Sequence, residues 1–320
     1  MPRRLTAYET LAVVTAVATL ALIAVGALVR TTGSGLGCPD WPLCQGGLLP
    51  PLEREAIIEY SHRTLASVVG LLIVATAAFT WRLRRDDRPL VALALISLPL
   101  LALQGWLGKV TVERELPAEV VAIHLTTALI LFAIVALIAA FVVQGPARRR
   151  IESTERASLL RVAMVAATVT AAVMVIGTYV VGTDAGFACT GWPGCPEAQV
   201  PFVNGERLQH IHWLHRFTVL GGLLAVGFLG LVASNLRTPA LILQRAVYGV
   251  LALYSAKIVI GGLNIVSDFS DGVRVAHLAV GSAIWALLVV IVVAGRYERV
   301  ATDEVATPSD AQREASGARA

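Results

Sequence analysis

Four of the six histidines stand in two matched pairs. His62 and His124 are 62 residues apart, His215 and His277 are also 62 apart, and the second pair repeats the first at a shift of 153 residues. Each lies at the edge of a long apolar run, where an ionisable side chain is expensive to keep and marks a candidate functional site. Imidazoles on facing helices of a four-helix bundle can hold a cofactor in its core. Zinc prefers four ligands in a closed structural site, which two histidines do not supply. Haem brings four ring nitrogens of its own and needs only axial ligands. The competing reading, a helix-end imidazole satisfied by a backbone carbonyl, fits one histidine better than four in register. His210 and His212 have no such support and read as solvated loop or helix-start residues.

The elements that must carry these residues are membrane spans. Charged residues make up 15% of the chain and hydrophobic residues 56%, with a mean hydropathy of +0.72; soluble domains are about a quarter charged. Eight runs of about 20 apolar residues cover 9–30, 60–81, 89–111, 119–143, 160–181, 211–234, 241–264 and 273–295. The first is too long for the apolar region of a signal peptide. Basic residues collect at Arg3 and Arg4, at Arg82, Arg84, Arg85 and Arg88, at Arg148, Arg149, Arg150 and Arg156, at Arg237 and Arg245, and at Arg296 and Arg299. In an eight-span chain these fall on one side, which by the positive-inside rule is the cytoplasm. The expectation is a multi-pass protein of the cell membrane with both termini cytoplasmic. The net charge of +4 is then explained by topology, with no call for nucleic acid. Residues 300–320 are small and polar, and read as a disordered cytoplasmic tail.

Internal repetition fixes more of the architecture. The stretch Gly26 to Cys44 aligns with Gly177 to Cys195 at a shift of 151, and His62-Arg63, Gly108 and His124 align with His215-Arg216, Gly261 and His277 at 153. Each half therefore holds four spans, and an even number makes the two halves parallel repeats rather than the inverted repeats of many transporters. The expected fold is an all-α integral membrane protein of two four-helix bundles, residues 1–150 and 151–299. All four histidines fall near the start of even-numbered spans, so both sites lie at one depth near the outer face.

The four cysteines form two pairs, Cys38 with Cys44 and Cys189 with Cys195, each six residues apart in the large outer loops. That side of the membrane permits disulfides, and the Gly, Pro and Trp residues around them suit a compact turn, so one bridge per loop is expected. So short a loop gains little chain entropy from its bridge; redox activity or loop geometry is as good a reason for it. Metal capture is the rival, weakened by the missing adjacent His. Trp41-Pro42 and Trp192-Pro193 also repeat, as interfacial anchors or as a lid over a cofactor.

Chemistry should show where the halves differ. Glu59 precedes His62 by three residues, and the matching position in the second half is His212. A carboxylate beside one site could accept a proton or stabilise a cationic intermediate; it also suits the first turn of any helix through the macrodipole. Gln104 and Thr111 are matched by Lys257 and Asn264. Arg63 and Arg216 follow two of the histidines and could pair with haem propionates or snorkel to the interface.

The run from Gly26 through Cys38-Pro-Asp-Trp-Pro-Leu-Cys44, then Glu59-Tyr-Ser-His62-Arg63, Leu107-Gly-Lys-Val-Thr-Val and Ala122-Ile-His124-Leu, resembles the haem A synthase family. The similarity extends through the second Cys loop, His215-Arg216 and His277, and fails only in the tail. The resemblance implies oxidation of a ring methyl of haem O to a formyl group by successive hydroxylations, using molecular oxygen and an external reductant, to supply haem A to terminal oxidases. It implies His215 and His277 as axial ligands of a resident haem b, His62 and His124 flanking the substrate haem, Glu59 as the functional carboxylate, and disulfides in both Cys loops. Implied partners are a haem O synthase that delivers the substrate and cytochrome oxidase assembly factors; the electron donor is not indicated, and an oligomer is compatible. Two other classes compete: a dihaem b-type membrane cytochrome taking electrons from quinol, and a haem carrier without catalysis. Two haems at one depth suit the first poorly, and Glu59 argues against the second.

Overall fold

The structure, a computed structural model, describes residues 4–146, 148–151, 153–236 and 241–299. The 300–320 tail, Arg3 and Arg237 lie outside the described residues. Eight helices among the described residues are long and apolar enough to cross a membrane, one for each expected span. They are α1 (Ala7–Thr31), α2 (Arg54–Leu83), α3 (Arg88–Glu113), α4 (Ala118–Gln144), α5 (Thr154–Gly182), α6 (Arg207–Ser234), α7 (Leu241–Val266) and α8 (Asp271–Ala294).

Local sequence sets their ends. Thr6 and Glu9 form a capping box that opens α1, and Ser153 caps α5 through the Arg156 amide; each satisfies amides that the first turn leaves without partners. A proline sits in the first turn of α3, where no backbone donor is needed. Gly145, at φ 87°, ends α4 in a conformation open mainly to glycine. The helices α2 and α5 begin six residues before their apolar runs, because polar first turns stand clear of the apolar layer.

In the first half α1 packs on α2 and α4, α2 on α3, and α3 on α4; α5 to α8 pack on one another in the same order, α5 closing against α8. Between the halves α1 and α4 pack on α8, and α4 on α5. The cores are small and aliphatic, such as Leu159, Ala163, Val226, Leu229, Val250, Ile284 and Leu288 in the second half. Large apolar side chains also face outward, Val17, Leu71, Leu224 and Val259 among them, as lipid-facing surface requires. Inside, hydroxyls join helices: Thr15 to Thr76 at 2.9 Å and Tyr8 to Thr80 at 2.7 Å, both between α1 and α2.

The two ends of the bundle differ. At the end where α1 begins and α8 finishes, Arg148 reaches both carboxylate oxygens of Asp87 at 2.5 Å and stacks 4.5 Å over Phe141. There two short strands, β1 (Arg148–Arg150) and β2 (Tyr297–Arg299), pair antiparallel. This clasp is the one pair of strands among the described residues, apart from an isolated bridge between Cys44 and Gly47, and no apolar alternation announces it. The other end carries the two long loops, with short 3-10 turns at Ser34–Leu36 and Ala185–Ala188. Arg30, Arg54, Arg114, Arg207 and Arg274 also belong to this end, so the basic bias toward the opposite end is one of degree.

Candidate functional site

The helices place the four histidines at matched depth. His62 and His215 stand eight residues beyond the first residue of α2 and α6, and His124 and His277 six beyond that of α4 and α8. At 1.5 Å per residue this is about 12 Å and 9 Å along each helix. Within a half the two imidazoles interact electrostatically, His62 with His124 and His215 with His277.

Each ring sits over a glycine of a neighbouring helix. A Cβ on Gly26 of α1 would stand 3.1 Å from His62 Cε1, and one on Gly177 of α5 3.3 Å from His215 Cε1. The second pair rests on α3 and α7, where Gly108 would meet His124 at 3.7 Å and Gly261 would meet His277 at 3.3 Å. These four glycines occupy matched positions of the two halves, and at Gly26, Gly177 and Gly261 the missing side chain admits a ring edge between helices, while Gly108 has more clearance. All four Nδ1 atoms are buried without a hydrogen-bond partner, while each residue stays partly accessible.

A polar side chain steadies the second histidine of each pair. Gln104 Nε2 donates to the His124 carbonyl at 3.2 Å, and Lys257 Nζ donates to that of His277 at 2.7 Å. Gly281 leaves the space Lys257 needs, since a Cβ there would lie 2.8 Å from Nζ. The sequence pairs Gln104 with Lys257; only the fold shows that both do the same job.

Beside His62, Glu59 is buried, 4% exposed, and its Oε1 accepts from Arg63 Nε at 3.0 Å. The same guanidinium donates to the carbonyls of Cys38 (2.6 Å), Asp40 (2.7 Å) and Leu43 (2.8 Å). Arg216 repeats this clamp on Gly191 (2.8 Å), Pro193 (2.8 Å) and Gly194 (2.5 Å). Both arginines therefore bind the Cys loops to the helix turn that carries a histidine. His212, at the position matching Glu59, is buried at 7% exposure, with its Nδ1 lacking a hydrogen-bond partner. That burial corrects its expected place in water: His212 lies on α6, which packs on the second 3-10 turn. His210, at the helix start, bonds the Asn204 carbonyl at 3.3 Å.

In both loops the sulfurs are at bonding distance, Cys38 with Cys44 and Cys189 with Cys195. Asp40 accepts from the amides of Gln45 (2.5 Å) and Gly46 (2.8 Å), and the Gly46 amide foremost holds its carboxyl below the usual range. Glu197 in the second loop is likewise lowered, chiefly by the Thr190 hydroxyl. Trp192 lays its indole on Gly262 of α7, where a Cβ would meet the ring at 3.0 Å.

The donor set fits haem. Two imidazoles per half, with buried Nδ1 atoms that have no protein partner and ring edges beside a glycine, can supply axial ligands, and no further metal-binding side chain is grouped with either pair among the described residues.

Comparison with known proteins agrees with this geometry. Residues 9–289 match the COX15-CtaA family, described as cytochrome oxidase assembly protein. The chain is 36% identical to the haem A synthase of Bacillus licheniformis over 67% of its length and 71% of that protein. It is 31% identical to the haem A synthase of Symbiobacterium thermophilum, over 82% and 87% of the two chains. It is 33% identical to that of Alkalihalophilus pseudofirmus, over 74% and 78%. With most of its length matched and the spans, cysteine loops and paired histidines in place, this chain belongs to the COX15-CtaA family of cytochrome oxidase assembly proteins.

Proposed function

We propose that this protein is a haem A synthase, a membrane oxidoreductase that converts haem O to haem A. The observation that carries the reading is the matched pair of two-histidine sites of which only one has a buried carboxylate beside it, Glu59 next to His62. In this reading His62 and His124 would flank the substrate haem O, and His215 and His277 would hold a resident haem b. The resident haem supplies one-electron chemistry when bound.

The chain's own residues do the rest. The glycines beneath the rings let the helices close around a flat ligand without tilting the imidazoles. Gln104 and Lys257 fix the backbone of the second ligand in each half. Arg63 holds one oxygen of Glu59, which leaves the other to take up a proton released as the substrate methyl is oxidised by molecular oxygen, the remaining electrons coming from an external reductant. Residues 1–150 then form the substrate half and 151–299 the cofactor half. With the loop end facing out and both termini in the cytoplasm, the disulfides lie on the oxidising side. Haem O arrives from a haem O synthase within the bilayer.

The test is co-expression with a source of haem O in a host lacking haem A, followed by extraction and chromatography of the haems. Hydroxylated or formyl haem is the expected product. Unchanged haem in a protein with a reversible b-type spectrum would sink the assignment in favour of a dihaem cytochrome.

A further inference from the structure

The two cysteine loops are built alike but seated differently. Each is gripped from one helix by an arginine that takes carbonyls on both sides of a tryptophan: Cys38, Asp40 and Leu43 around Trp41, and Gly191, Pro193 and Gly194 around Trp192. The second loop has a further support. The Trp192 ring lies on Gly262, one residue beyond the Gly261 that bears the His277 ring. The loop thus spans from α6, beside His215, to α7, beside His277, and closes the gap between those helices at the level of the histidine pair.

This seat exists because position 262 has no side chain. A Cβ there would stand 3.0 and 3.1 Å from two atoms of the indole, tighter than a buried contact tolerates without movement. In the first half the position matching Gly262 is Lys109, whose ammonium lies 3.4 Å from Glu113 one turn on. Trp41 therefore has no glycine at the matching position of α3 to rest on, and the Arg63 clamp holds its loop from α2.

We propose that the Trp192–Gly262 seat is what makes the His215–His277 site retain its haem, and that Lys109 in its place lets the His62–His124 site exchange one. The inference rests on the reading that both pairs bind haem, and it adds which residues separate a resident cofactor from a passing substrate. A ligand leaving the second site between α6 and α7 must first lift Trp192 off α7, which gives up the contact of a large aromatic face. Ring and glycine together set this barrier without touching either histidine. One face of Trp192 stays open, with the residue 51% exposed, so the seat is a latch and not part of the core.

The experiment follows haem release from purified, haem-loaded protein to excess apomyoglobin, read as the change in absorbance, for the native chain, Trp192→Ala and Gly262→Leu. His215→Ala identifies the slow haem as the one on the C-terminal pair. The native protein should show one slow phase that is missing in His215→Ala, and both latch variants should speed that phase about tenfold or more. Should Gly262→Leu fail to fold, Trp192→Ala, which only removes atoms, still decides. An unchanged slow phase in Trp192→Ala, with haem content and spectrum intact, overturns the latch but leaves the haem assignment standing. A slow phase that persists in His215→Ala overturns the assignment of haem to that pair, and the latch with it.

Discussion

Arg63 stands one helical turn beyond Glu59 on α2 and joins it, by a 3.0 Å bond from Nε to Oε1, to the carbonyls of the Cys38–Cys44 loop. One buried ion pair thus connects the candidate proton acceptor, the residue next to His62 and the disulfide loop. Its counterpart, Arg216, makes the loop contacts with His212 in place of the carboxylate. The chemical difference between the halves is therefore concentrated at one position of an otherwise shared clamp.

Replacing Glu59 by Gln keeps the shape and removes the proton-accepting oxygen. Conversion of haem O is expected to fall by about a hundredfold or more, the usual contribution of a positioned acid or base, while the spectrum of the haem proposed on His215 and His277 is kept. Chromatography of extracted haems and a reduced-minus-oxidised spectrum check both halves of this statement. Full conversion by Glu59→Gln would remove the carboxylate from the mechanism.

Arg63→Ala should harm stability as well as activity. It leaves Glu59, whose side chain is 6% exposed, without its cation, and breaking such a pair costs about 3 kcal/mol. Thermal unfolding in detergent should show a clear drop in midpoint, larger than for Glu59→Gln. Equal midpoints for the two variants would mean that the ion pair does not support the loop.

The glycines under the imidazoles should differ in tolerance according to their clearance. Gly26→Ala, at 3.1 Å from His62, and Gly177→Ala, at 3.3 Å from His215, press on the ring and require it to shift by a few tenths of an ångström; Gly108→Ala, at 3.7 Å from His124, makes an ordinary contact. Haem bound per protein should fall in the Gly177 variant and substrate conversion in the Gly26 variant, with the Gly108 variant close to native. A Gly108 variant as impaired as Gly26→Ala would show that clearance is not the deciding quantity.

Gly222 tests packing away from the site. A Cβ there would fall on the buried Tyr254 hydroxyl, which donates to the Val219 carbonyl at 3.1 Å. Gly222→Ala should destabilise by about 1–3 kcal/mol through overpacking, and Tyr254→Phe in the same chain should recover part of it. A detergent melt that shows no loss for Gly222→Ala would refute the contact.

The first cysteine loop should loosen in acid. The Gly46 amide foremost, with Gln45 and Arg63, holds the Asp40 carboxyl below its ordinary value of 3.8. Because the folded value is the lower one, the support is present above the ordinary value and is lost as pH falls through the depressed one. Reduction of the Cys38–Cys44 bridge by a phosphine active in acid should accelerate below about pH 4, and Asp40→Asn should flatten that dependence. A pH-independent rate in the native chain would show that Asp40 does not hold the loop closed.

Much of this was legible in the residues. Eight apolar runs gave eight helices because a bilayer requires every backbone group to be satisfied within its own span. The 153-residue register paired the histidines and singled out Glu59, since a ligand pair repeated at fixed spacing falls at the same depth of corresponding helices. Cysteines six residues apart in a turn-forming segment were already close enough to bond. What the chain order could not show were contacts made across helices: His62 lying on Gly26, His124 on Gly108, Lys257 reaching the His277 carbonyl past Gly281, and Trp192 resting on Gly262. His212 was misread for the same reason, as it is buried on α6, which packs on the Ala185–Ala188 turn from another part of the chain. Periodicity and spacing act along one element and so can be read from it. Which side chain fills the space that a glycine leaves on its neighbour is settled only when the helices pack.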